Sequence, residues 1–297
     1  MKKVLLCEPN ISEGINLGLV EDVLNQVRQV EGVKILDVSS DADHNRSVFT
    51  YLGEPDAVLQ ATKALAQKAF ERIDMRQHHG SHPRMGALDV APFIPVRNME
   101  IKEAVEIARQ FGRFVGGLGV PVYYYEEAAT RPEREKLPDI RKGQYEALEA
   151  KLQKAEWQPD EGPFGFNARA GATVTGVRFP LVAFNVNLRT TDVTIAERIA
   201  KALRHINGGF RYVRAMGLAL EDKGMVQVSM NLVNYKGTPI PRVFEAVKAE
   251  ARRYGVSVAG AELVGPVPMG ALEEVLKYYL QAHEFNMDQI IENALID

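Results

Sequence analysis

The chain has 297 residues, of which 46% are hydrophobic and 25% charged, with a formal net charge of -3. This length allows two domains with cores of their own, and the near balance of charge gives no overall basic surface for nucleic acid. Cys7 is the only cysteine, which excludes an internal disulfide framework and a four-cysteine zinc site and fits a reducing, cytoplasmic setting.

From the amino terminus, the first apolar run meets Glu8 and Pro9 too soon for a signal-peptide core, and no later run is long enough to span a bilayer, so no membrane partner is expected. Hydrophobic periodicity then predicts a strand at 4–7, a helix at 17–30, strands at 33–38 and 48–52, a helix at 56–73 and a strand at 90–94. An extension follows, with a helix at 100–114, a strand at 120–125, a charged stretch at 130–142 and a helix at 145–154. The second round predicts a strand at 181–188, a helix at 193–205, strands at 213–220 and 226–233, a helix at 243–254 and a strand at 256–263. Both rounds read βαββαβ, the split unit of ferredoxin-like folds. The expected class is therefore α+β, with subdomains at 1–180 and 181–297 and a ligand cleft between them. Final helices at 269–282 and 286–295 offer apolar residues to a core or to a dimer interface.

Chemistry concentrates at 75–97, where His78, His79 and His82 fall close together, beside Arg84 and ahead of an apolar run. Gly80, Pro83 and Gly86 break regular structure there, so the segment reads as a loop held at a strand edge. Histidine can take and return a proton near neutral pH, which suits such a loop to catalysis. A second segment, 157–176, is rich in glycine, proline and aromatics. Its Phe164 and Phe166 could face a ring system or plug a subdomain interface.

Taken together, Cys7-Glu-Pro-Asn-Ile-Ser-Glu-Gly14, Asp43-His-Asn-Arg-Ser-Val-Phe-Thr50, His82-Pro-Arg-Met-Gly-Ala-Leu-Asp-Val90, Gly171-Ala-Thr-Val-Thr-Gly176 and Ala183-Phe-Asn-Val-Asn-Leu188 resemble the glutamate formimidoyltransferase family over nearly the whole chain. The resemblance implies transfer of a formimidoyl group between N5 of tetrahydrofolate and the amino group of L-glutamate, a late step of histidine breakdown. Tetrahydrofolate would be the co-substrate, no metal would be needed, and the protein would be a homodimer. A monofunctional form is expected, because no room remains after 297 for the cyclodeaminase domain of vertebrate members. The family's catalytic histidine falls on His82. Its folate-binding segment falls on Gly162, Pro163, Phe164, Gly165, Phe166, Asn167, Ala168, Arg169, Ala170 and Gly171, and departs from the vertebrate pattern at Phe164, Gly165, Asn167 and Arg169.

Such a transfer needs one group that alternates as base and acid, the role expected of His82. Asp37, at the end of an expected central strand, is a candidate to orient the imidazole, with Asp41, Asp43 and Asp89 as alternatives. Arg46 and Arg84 could grip carboxylates of glutamate or of the folate tail, or form structural salt bridges. Asp89 could instead cap backbone groups where its strand begins. Gly171→Trp is expected to weaken folate binding by crowding the backbone approach. Other readings are formyl transfer from N-formylglutamate, a metal-dependent hydrolase using His78, His82 and Asp89, and a non-catalytic ligand-binding module.

Overall fold

Residues 2–295 are described in the computed structural model, and their contacts divide the chain into two units between Arg178 and Phe179. In the first unit the opening strand is broken in two at Glu8 and Pro9, giving β1 (Val4–Cys7) and β2 (Asn10–Ile11). Proline cannot donate to the ladder, yet the Pro9 carbonyl still accepts the N–H of Phe49. The chain continues through α1 (Leu17–Arg28), β3 (Val33–Asp41), β4 (Arg46–Gly53), α2 (Pro55–Arg72) and β5 (Leu88–Arg97). β4 and β5 flank β1 and β2 antiparallel, and β3 lies outside β4, so this part has the strand order of a ferredoxin-like unit.

The extension then widens the sheet. After α3 (Ile101–Gly117) come β6 (Val122–Glu126), the short helices α4 (Leu137–Arg141) and α5 (Leu148–Leu152), and β7 (Thr173–Val177). β7 inserts between β5 and β6 and runs parallel to both. The helix expected at 145–154 is only a 3-10 turn followed by α5. One sheet face is covered by α1, α2 and α3; α3 turns Ala104, Ile107, Ala108, Phe111 and Val115 inward at helical spacing. On the opposite face of β5, β6 and β7, a second cluster packs Met85, Val90, Tyr123, Tyr125 and Val174 against Ile140, Leu148, Leu152 and Trp157.

The second unit contains β8 (Val182–Leu188), α6 (Val193–Leu203), β9 (Val213–Leu220), β10 (Met225–Leu232), α7 (Ile240–Arg253), β11 (Val258–Val264) and α8 (Met269–Leu280). Its antiparallel order, β11-β8-β10-β9, is ferredoxin-like. On β8, Val182, Phe184, Val186 and Leu188 are buried while the residues between them are not, the alternation that periodicity detects. Beyond α8, the helix expected at 286–295 is two 3-10 turns.

Below the histidine loop, the first unit closes with a single bridge between Gly86 and Gly171. Gly171 has φ +72°, and a Cβ on it would overlap the carbonyl oxygen of Met85; one on Gly86 would overlap that of Ala172. Neither backbone has room for a side chain. Gly171→Ala should therefore lower unfolding free energy by about 2 kcal/mol or more, through strain and displaced backbone, as measured by urea denaturation. This differs from the expectation for Gly171→Trp, whose first effect would be on the fold and not on a ligand.

Candidate active site

Short loops converge on His82 because polar side chains tie their backbones together. Ser12 donates its hydroxyl to Gly86 O at 2.8 Å, and Ser47 donates to Glu13 O at 2.5 Å. The Ser81 hydroxyl donates to Asp43 O at 3.0 Å. Asn45, buried with φ 46°, accepts the Gly14 N–H at 2.9 Å on its side-chain oxygen and donates its amide to His79 O at 2.8 Å. Ser12, His44, Asn45, Arg46, His78, His82, Arg84 and Asp89 line one narrow crevice.

Arg84 is buried and its guanidinium is fully engaged. It holds Glu146 through two bonds of 2.8 and 2.6 Å, reaches Gln144 at 3.1 Å, and donates Nε–H to His78 Nδ1 at 3.2 Å. Arg84 thus takes the form of the structural alternative weighed for it, a bracket between the histidine loop and the segment before α5. Because guanidinium only donates, His78 Nδ1 accepts, and its Nε2–H donates to Asn45 O at 2.9 Å. Burial, chiefly, keeps His78 less basic than free imidazole. With both ring nitrogens engaged, His78 has no lone pair for the zinc pairing weighed above, and among the described residues no group of three or more His, Cys, Asp or Glu could hold a metal ion.

His82 is half buried, with Nε2 at 3.2 Å from Arg46 Nη1. Nε2 must accept there, so the ring is neutral with its proton on Nδ1. Burial first, then the charges of Arg46, Arg141 and His44, push its pKa down to about 4, with Asp41 pulling the other way. The His44 ring stands 6.0 Å from that of His82, edge-on at 72°. Asp41 accepts the His44 backbone N–H at 2.9 Å and pairs with its Nδ1 at 2.8 Å, contacts that hold the Asp41 carboxyl below the usual carboxylate range. Asp37 is placed differently from expectation: β3 pairs only with β4, an edge and not a central strand, and Asp37 is exposed on it. Asp41, four residues further along, is the carboxylate whose charge reaches His82.

Asp89 accepts the Met85 N–H at 2.8 Å and binds Arg141 with its other oxygen, consistent with a cap at the start of β5. Arg141, Glu146, Ser12 and Asn45 were not singled out from sequence; only their remote partners give them meaning.

The segment 162–171 belongs to the same unit as the histidine loop. Ala87 N–H bonds Ala170 O and Ala172 N–H bonds Met85 O, so the two are adjacent in the backbone ladder. Asn167 bonds Gly119 O and Ala170 N–H, while Arg169 donates to Glu71 O at 2.6 Å near the end of α2. Phe166 packs on Tyr145, ring centroids 5.5 Å apart. Phe166, Asn167, Arg169, Ala170 and Gly171 thus anchor the segment, whereas Gly162, Pro163, Phe164 and Gly165 are exposed, Phe164 to 61%.

Against known families, residues 4–178 match the formiminotransferase domain, N-terminal subdomain, and residues 183–296 match the formiminotransferase domain. The chain belongs to the formiminotransferase family. It is 47% identical over its whole length to the full-length glutamate formimidoyltransferase of Streptococcus pyogenes serotype M1. To the enzyme of the same name from Thermoplasma acidophilum it is 44% identical, over 97% of this chain and 96% of that one. The formimidoyltransferase-cyclodeaminase of Rattus norvegicus is 44% identical over 94% of this chain and 53% of its own length.

Within this formiminotransferase chain, Arg84→Gln removes the bracket while leaving His82 and Arg46 in place. It should lower stability by about 1–3 kcal/mol, the cost of leaving buried partners unsatisfied. KM for the amino-acid substrate should stay within twofold. Denaturation and steady-state kinetics on the same preparation check both; a large KM rise with unchanged stability would restore Arg84 as a substrate ligand.

Proposed function

We propose that this chain transfers a formimidoyl group between N5 of tetrahydrofolate and the amino group of L-glutamate, as in histidine breakdown, with His82 as general acid and base. The observation that carries this reading is the neutral imidazole of His82, set in a loop that is hydrogen-bonded to the segment 162–171. N5 of tetrahydrofolate attacks the amidine carbon of N-formimidoyl-L-glutamate, and His82 Nε2 takes the N5 proton as the tetrahedral intermediate forms. The carbon–nitrogen bond to glutamate then breaks, and His82 returns the proton to the departing nitrogen. Free glutamate and 5-formimidoyltetrahydrofolate result, with no redox change, and no step is assigned to a metal.

Folate is proposed to meet the exposed tip Pro163, Phe164 and Gly165, where Phe164 offers a flat apolar face. The remaining positions of the segment serve to place that tip. His82→Ala should lower kcat by about a hundredfold to ten-thousandfold with folate affinity nearly intact. Assays with N-formimidoyl- and N-formyl-L-glutamate in parallel test the donor: preference for the formyl compound would overturn the formimidoyl reading, and unchanged turnover of the alanine variant would remove His82 from the mechanism.

No helix among the described residues is long and apolar enough to cross a membrane; a cytoplasmic location is proposed separately, on a single cysteine that suits a reducing compartment. A homodimer is also proposed: α8 exposes Met269, Leu272, Leu276, Tyr278 and Leu280, apolar area suited to a second copy. Sedimentation should show the dimer at micromolar concentration; a monomer would refute it.

A further inference from the structure

His82 presents a contradiction if its surroundings stay as they are, because the nitrogen that must accept a proton is already bonded to Arg46. Arg46 has no ion-pair partner among the described residues, and its Nε–H, shielded from solvent, binds no acceptor. Arg141, the last residue of α4, shows the same defect at its own buried Nε, although its terminal nitrogen binds Asp89. Arg141's charge opposes that of Arg46, while Asp89 and Asp41 support it. Two guanidiniums that feel each other's charge, one held on His82 and the other on Asp89 of the same crevice, each keep a buried Nε–H without an acceptor; such donors normally find acceptors, and a planar guanidinium matches a carboxylate.

We propose that Arg46 and Arg141 together form the binding point for a carboxylate of the glutamyl substrate, and that this carboxylate draws Arg46 off His82 Nε2, freeing the base only when the amino acid is in place. The proposal rests on the reading of the preceding subsection for the identity of the substrate. The groups that set His82's charge fit it: Arg46 from β4, Arg141 from α4, Asp41 from the end of β3 and His44 from the turn after it, with Asp89 of β5 in the same crevice. Of these, Asp89 is bound to Arg141 and Asp41 to His44, so both support Arg46 without pairing with it directly. A seated carboxylate cancels much of the positive field and removes a donor from Nε2. Both changes raise the proton affinity of His82 toward neutrality, where a base and its conjugate acid interconvert most effectively.

Glutarate, an unreactive dicarboxylate, is the probe. In the whole enzyme with 13C-labelled histidine, the His82 signal, assigned by its loss in His82→Gln, should titrate more than one pH unit higher with saturating glutarate than without. Arg46→Gln and Arg141→Gln should each weaken glutarate binding at least tenfold and raise KM for N-formimidoyl-L-glutamate by a similar factor, with tetrahydrofolate affinity changed less than twofold. Arg141→Lys, which keeps the charge beside Asp89 but lacks the planar fork, should recover part of that loss and guards against a glutamine variant that fails to fold. A His82 midpoint indifferent to glutarate, or a folded Arg141 variant with unchanged glutarate affinity, would overturn the proposal. A wild-type enzyme that binds glutarate as described but does not turn over formimidoylglutamate would instead refute the functional reading alone, because binding and titration read this site without catalysis.

Discussion

The side chain of Asn45 joins loops that have no ladder of their own. It accepts from Gly14, donates to His79, and its backbone carbonyl takes the ring proton of His78. The bonds to Gly14 and His78 are buried, so a missing partner there leaves a desolvated donor or acceptor behind. From His78 the chain of bonds passes to Arg84 and on to Glu146. His82 lies on the loop between two fixed points of this network, His78 and Arg84. Its position is therefore a property of the buried network, although the histidine itself makes few contacts.

Charge at the site is lopsided for a reason that the same network explains. Arg84 has Glu146 and Arg141 has Asp89, but Arg46 faces an imidazole. Cations around a half-buried histidine favour its neutral form, which is the form a proton acceptor requires. On the proposed mechanism the same cations would suit an acidic co-substrate, so that one arrangement would serve both substrate attraction and base preparation.

Much of the architecture was legible because half-buried strands advertise themselves by alternation. β8 shows inward Val182, Phe184, Val186 and Leu188 with the less buried Ala183, Asn185 and Asn187 between them, and the two βαββαβ rounds follow from such patterns. β7 escaped detection because all of its residues, from Thr173 to Val177, are buried between parallel neighbours. A strand covered on both faces has no period of two to read. Within the site, His82 was legible from the block around it, and Arg46 from its charge beside a histidine-bearing turn. Arg84 and Asp37 show the limit: whether an arginine meets substrate or Glu146, 62 residues away, depends on a contact that spacing does not encode. Asp37 reads from sequence as a central-strand residue because local pattern cannot tell an edge strand from an interior one.

The bridge between Gly86 and Gly171 separates two kinds of evolutionary freedom. Backbones this close act as a rivet between the histidine loop and the base of the segment 162–171, and no larger residue fits on either side. Beyond the rivet, Pro163, Phe164 and Gly165 carry few obligations to the rest of the unit. Drift at those three positions can reshape the tip without moving His82; on the proposed reading, recognition of ring systems or tail lengths would then diversify between lineages while the proton-transfer geometry stays constant.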